Sequence, residues 1–99
     1  MRVQQFISEY NNPIPNQFMI GGTEWIDGQE HHGVTFQSYD AKIAFRDNDG
    51  KVWLDEKYWT YSRTTSKWRN RFLNSTTKDT LAKIKSGEYT MANLNGGAR

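Results

Sequence analysis

The sequence predicts an α+β fold: a small antiparallel sheet built on a β-hairpin over residues 39–55, packed by two or three short helices. Three observations carry this prediction. Tyr39, Ala41, Ile43 and Phe45 alternate with the period of a strand, and Lys51-Val52-Trp53-Leu54 returns after the turn signal Asp47-Asn48-Asp49-Gly50. Residues 62–87 carry cap signals at both ends of helical stretches. The chain is rich in large rings, with four Trp, five Tyr and five Phe among 99 residues, so a small core can be built from few side chains.

Taken in order, Val3, Phe6, Ile7 and Tyr10 follow an i, i+3, i+4, i+7 spacing, which predicts a helix over 2–10 ended by Asn11-Asn12-Pro13 and Pro15. Phe18-Met19-Ile20 reads as a short strand closed by Gly21-Gly22. Residues 21–33, with four glycines, Asp27, Gln29 and Glu30, read as a loop from which Trp25 and Ile26 return to the core. Val34 and Phe36 share one parity and Tyr39 to Phe45 the other, so a bulge or a break between two strands is required near Gln37-Ser38. After the hairpin, Ser62, Thr64 or Thr65 can cap a helix carrying Trp68, Phe72 and Leu73 on one side. A second helix fits 77–86, with Thr76 and Asp79 spaced as a capping box and Gly87 as its stop. Tyr89, Met91 and Leu94 fit a final strand or extended arm, giving one domain over 1–94 and a flexible tail over 95–99.

Composition narrows the function classes. With no cysteine there is no disulfide framework, thiolate metal site or cysteine nucleophile. The chain has no apolar run of membrane-spanning length, and its first ten residues lack the apolar centre of a signal peptide, so a cytoplasmic setting without membrane contact is expected. The net charge of +2 conceals a split: residues 1–50 carry −4, residues 51–99 carry +6, and 57–85 hold eight cations against Asp79 alone. Such asymmetry points to an anionic partner for the second half, either nucleic acid or an acidic protein surface.

The candidate binding set lies in that basic segment, where cations alternate with rings: Lys57, Tyr58, Trp59, Tyr61, Arg63, Lys67, Arg69 and Arg71, with Lys78 following. On a helix Arg63, Lys67 and Arg71 fall at i, i+4 and i+8 and form one stripe, in which each like-charge pair costs about 0.2–0.5 kcal/mol on an isolated helix. Cations contact phosphates and rings stack on bases. The same residue types dominate protein interfaces. They also fit a solvated helix face over a core of Trp59, Trp68 and Phe72.

Two weaker constellations involve metals. Asp55-Glu56-Lys57 ends a strand, and with Asp40, Asp47 or Asp49 it has the composition of a Mg²⁺ nuclease site, although charged strand ends running into a turn explain it equally. His31-His32 with Glu24, Asp27 and Glu30 has ligand types suited to Zn²⁺ or Mn²⁺, but adjacent His side chains point apart, and a polar loop is the plainer reading. No nucleophile elbow or phosphate loop is present. No catalytic set, metal or cofactor is therefore expected.

The stretch Phe36-Gln37-Ser38-Tyr39-Asp40, followed by the run from Leu54 through Asp55-Glu56-Lys57-Tyr58-Trp59-Thr60-Tyr61 to Phe72-Leu73, resembles a group of short bacteriophage and prophage accessory proteins over about 36–73. The resemblance implies a protein acting in the host cytoplasm and supplies no catalytic residues. With the basic segment it leads to an expected function: a non-enzymatic inhibitor of a host nucleic-acid-targeting defence system, anti-CRISPR-like or anti-restriction-like. A direct DNA- or RNA-binding accessory protein is the alternative, and a small Mg²⁺ nuclease the third reading.

Overall fold

The computed structural model describes residues 2–7 and 13–95. Six strands form one sheet in sequence order: β1 (Arg2–Ile7), β2 (Pro13–Ile26), β3 (Gln29–Ser38), β4 (Ala41–Asp47), β5 (Val52–Asp55) and β6 (Tyr89–Ala92). All neighbours are antiparallel except β5 and β6, which run parallel. A parallel pair needs a crossover, and here α1 (Arg63–Leu73) and α2 (Thr77–Ser86) supply it. The class is α+β, as the sequence indicates, but the sheet is larger than expected and mixed.

The expected hairpin is present, with Ala44, Phe45 and Arg46 opposite Leu54, Trp53 and Val52. Its turn uses Gly50 at φ 88, a left-handed conformation that a side chain disfavours. Asp47 fastens the turn by accepting the Asp49 and Lys51 amides on Oδ1 at 2.9 and 2.8 Å. The parity change resolves as a break, with Tyr39–Asp40 turning between β3 and β4 and a register shift at Phe36/Gln37.

Three expectations fail in the first third of the chain. Residues 2–7 are a strand, not a helix, and residues 8–10 of the predicted helix lie outside the described residues. Four apolar positions over nine residues are too few to stabilise a helix alone. Pairing Arg2–Gln5 with Gly21–Phe18 satisfies the backbone groups of β2 that would otherwise form an open edge. Residues 21–33 are not a loop, because β2 runs through both glycines and pairs with β3 as far as Ile26 and Gln29 around an Asp27–Gly28 turn. Trp25 does not return to the core and is 64% exposed, whereas Ile26 is buried.

Of the glycines that suggested a loop, Gly28 takes a left-handed φ of 78 in the turn and Gly33 serves close packing. Gly33 sits opposite Asp47, where a Cβ would overlap the Arg46 carbonyl oxygen and lie 2.6 Å from Asp47 Cα.

Side chains pack on both faces of the sheet. Register aligns Phe36, Ala44, Leu54 and Met91 on one face, where Trp68, Phe72 and Leu73 of α1 cover them. Phe45 and Trp53 lie on the other face, closed by Ile26 of the curled β2–β3 hairpin and by Ala92 and Leu94. Polar ties orient α1 on the sheet: Ser38 and Thr65 hydroxyls meet at 2.8 Å, and Arg46 Nη1 donates to the Phe72 carbonyl at 2.9 Å while lying over its ring. Among the described residues no helix is long and apolar enough to cross a membrane.

Candidate functional site

Helix α1 begins at Ser62, whose Oγ accepts the Thr65 amide at 3.1 Å, and ends at Asn74 in a left-handed cap. At about 100° per residue this phase places Thr65, Trp68, Arg69, Phe72 and Leu73 on the buried arc and Arg63, Lys67 and Arg71 opposite it. The three cations are exposed and span about 12 Å along the axis. Among the described residues, none of Lys57, Arg63, Lys67, Arg71 or Lys78 has a carboxylate partner; the ion pairs found are His32–Glu30, Lys42–Glu24 and Lys83–Glu88. The first turn of α1 holds no acid, and Arg63 there opposes the positive end of the helix dipole.

Lys67 Nζ and the Arg71 guanidinium lie 5.0 and 5.3 Å from the centre of the Trp68 ring. The ring itself is buried and cannot stack on a base, and the cations flank its edge of the helix. Lys78 is exposed at the start of α2, which Thr76 caps through the Asp79 amide at 3.1 Å.

Arg69 is not a surface residue. Its side chain is fully buried, with Nη1 donating to the Trp59 carbonyl at 2.6 Å and Nη2 to Asn70 Oδ1 and Thr77 Oγ1 at 2.9 Å each. Nε has no acceptor among the described residues, and burial pushes the guanidinium pKa below its ordinary value. The sequence holds the signal for this: Arg69 lies four residues after Thr65 and three before Phe72, on the inward phase. Trp59 is half-buried against Arg69, so both belong to the scaffold of the basic face.

Tyr58 and Tyr61 stand differently. Their rings meet edge to face at 5.3 Å, Tyr61 is 54% exposed, and Lys57 Nζ lies 5.4 Å from the Tyr58 ring centre. Together with Tyr39, Asp40, Ala41 and Asn95 they line a cleft of about 290 Å³. The basic-segment pattern missed Tyr39, Asp40 and Asn95, which come from a hairpin turn and from a residue assigned to the tail. Asn95 is in fact tied to the Lys42 backbone by two hydrogen bonds, at 2.8 and 3.0 Å, while 96–99 lie outside the described residues.

The metal constellations are rearranged. Asp55 is buried, accepting the Lys57 and Tyr58 amides on Oδ2 and the Leu94 amide on Oδ1, which fixes the 56–58 turn and the segment after β6. Asp40 and Asp49 occupy turns at opposite ends of β4. His31 packs 4.6 Å from the Trp53 ring, and His32 is held between Thr23 Oγ1 and Glu30. Glu24 accepts from Lys42 and Thr35. Among the described residues, no three His, Asp or Glu side chains gather as metal ligands.

No curated protein and no solved structure shows significant similarity to the chain. Residues 1–89, which include the whole sheet up to the start of β6 and both helices, match the model of a family of unknown function, DUF8033, and the chain belongs to that family.

Proposed function

We propose that the protein is a non-enzymatic binding protein that docks the Arg63–Lys67–Arg71 face of α1 on an anionic partner. The resemblance of residues 36–73 to short phage proteins supports a setting for this docking: obstruction of a host nucleic-acid-targeting defence complex, through its nucleic acid or an acidic surface of its protein. The observation that carries the reading is the stripe of three exposed cations with no carboxylate partner among the described residues. Like charges at this spacing repel, and an anion brought to the face removes that cost.

The burial of Trp68 favours backbone contact over base reading on α1 itself. A stripe of about 12 Å covers about three steps of a nucleic-acid strand at 3.4 Å each. This spacing favours, as the second reading, an accessory protein that binds DNA or RNA directly.

The deciding experiment is capture of partners from host lysate with and without nuclease, followed by titration at several salt concentrations. A partner lost with nuclease, whose affinity falls steeply between about 50 and 200 mM salt, supports phosphate binding. A nuclease-resistant partner with a milder salt effect supports an acidic protein. Mg²⁺-dependent cutting of nucleic acid abolished by Asp55→Ala would replace both readings with the nuclease.

A further inference from the structure

We infer that the cleft between the Tyr39–Asp40 turn and the 58–61 segment is a nucleobase site selective for guanine, supplied by a free guanine nucleotide or by an unpaired guanine in a nucleic acid. The inference goes beyond the α1 face, because the cleft is built from other residues.

The walls suit a flat aromatic ligand. Tyr58 and Tyr61 meet at an interplanar angle of 79°, so a ring lying on one has the other standing against its edge. Tyr39, on the facing turn, is 45% exposed. A volume of about 290 Å³ lies at the small end of ligand pockets and suits one base with its sugar.

The walls are also fixed in place. Tyr39 sits at φ 55, a region that bulky side chains rarely adopt, held by its amide donating to the Asn16 carbonyl at 2.7 Å and by its carbonyl accepting from Gln37 Nε2 at 3.0 Å. The Tyr58 amide is held by buried Asp55, and Asn95 by the Lys42 backbone.

The polar groups choose the base. The Asp40 carboxylate and the three phenol groups make no hydrogen bond to the described residues. A carboxylate accepts two parallel N–H donors, which guanine offers at N1 and N2. Adenine presents an acceptor at N1 and uracil flanks one donor with two carbonyls, so both place an oxygen or nitrogen lone pair against Asp40. Asn95 Nδ2 retains one N–H beyond its bond to Lys42, a donor for guanine O6.

The other occupant of a tyrosine-lined cleft is an organic cation, which Asp40 would attract and Lys57 opposes. Lys57 already places an ammonium 5.4 Å from the Tyr58 ring centre, which repels a second cation and attracts a phosphate.

The test is titration of the ¹⁵N-labelled protein with 5′-GMP, 5′-AMP, 5′-UMP and guanosine, and with thymidine octamers that contain or lack one central guanine. We expect GMP to shift the amides of 39–41, 58–61 and 95 and to bind at least about tenfold tighter than AMP or UMP. Asp40→Asn, on an exposed turn, should remove that preference, and Tyr61→Ala should weaken every nucleotide about tenfold. Guanosine weaker than GMP identifies the Lys57 contact. A guanine octamer that binds no tighter than GMP places the ligand as the free nucleotide, and a much tighter one places it in nucleic acid. Retention of GMP binding in a variant with Arg63, Lys67 and Arg71 all changed to Gln separates this site from the α1 face. The inference is overturned if millimolar GMP leaves these amides unmoved, if AMP matches GMP, or if trimethyllysine shifts them and the nucleotides do not.

Discussion

Arg69 donates to the carbonyl of Trp59 at 2.6 Å and lies 5.2 Å from the centre of the same residue's ring, so one guanidinium holds both the backbone and the side chain of the segment that leads into α1. Its second nitrogen reaches Thr77 on α2. Three parts of the chain thus meet on a buried cation that has no carboxylate partner among the described residues. The planar fork matters here, since it presents several donors at fixed angles.

Arg69→Ala should therefore cost about 2–4 kcal/mol, through lost charge-assisted bonds, an empty space and an orphaned Trp59 carbonyl. Arg69→Lys should recover little, because one ammonium cannot span the same acceptors. Thermal melts check this; a Lys variant as stable as wild type would show that the fork is dispensable.

Gly33→Ala should be as damaging, because its Cβ would meet backbone and no side chain can move aside. A shift of the strands is the only relief, and a loss of 2 kcal/mol or more, about 8 °C or more in melting temperature at this size, is expected. Gly50→Val should lower the melting temperature by a smaller amount, since space around Gly50 is open and only its left-handed φ of 88 resists the side chain. Equal effects at the two positions would contradict this ordering.

These glycines show where the sequence was legible and where it was not. Gly50 could be read, since an Asp-Asn-Asp-Gly turn is a local signal, and so could both helices, whose caps at Ser62, Thr76 and Gly87 lie within a few residues of what they cap. Gly33 could not be read, because its requirement comes from Arg46 and Asp47 on another strand. The same distinction explains β1, which looks helical by its own spacing and is a strand because of Phe18–Gly21. At the candidate site, helical phase exposed Arg63, Lys67 and Arg71 correctly and would have buried Arg69 had it been applied to that residue. The cleft joins Tyr39 to Asn95 across most of the chain, and no local pattern encodes that meeting.

Gln17 gives a prediction of opposite sign. Its side chain is fully buried opposite Ser38 on β3, and neither Nε2 nor Oε1 has a hydrogen-bond partner among the described residues. An unsatisfied buried amide costs about 1–3 kcal/mol. Gln17→Met, similar in volume and able to adapt its shape, should raise the melting temperature by about 4–8 °C. A lowered value would mean that the amide contributes to stability at that position.

Asp55 separates structure from chemistry. Its carboxylate accepts three backbone amides, so Asp55→Asn, which keeps one acceptor oxygen, should cost less than Asp55→Ala, and the difference should be about 1–2 kcal/mol by denaturant titration. Amide exchange at Lys57, Tyr58 and Leu94 should accelerate in both variants. Wild-type stability in both variants would show that these hydrogen bonds do not hold the turn.

The basic face is tested by two triple variants that both lack the charges and differ in the side-chain stems they keep over the Trp68 ring. Changing Arg63, Lys67 and Arg71 to Ala removes two like-charge pairs, a relief of about 0.2–0.5 kcal/mol each. It also strips Lys67 and Arg71 from the Trp68 ring, and cation–π contacts of this kind contribute about 0.5–1 kcal/mol each. The loss of the ring contacts is the larger effect, so the alanine variant should be slightly less stable than wild type. Changing the same residues to Gln removes the charges and the cation–π contacts as well but leaves apolar stems to cover the ring, so its stability should fall between the alanine variant and wild type. Both variants should lose affinity for an anionic partner to a similar degree, because affinity depends on the charges that both lack. For a nucleic acid, the slope of log affinity against log salt should fall by about one unit for each phosphate contact removed. Full affinity in the folded Gln variant would reject α1 as the docking face. Affinity lost in the Ala variant alone would assign the effect to an uncovered Trp68 and a disturbed helix, not to the cations.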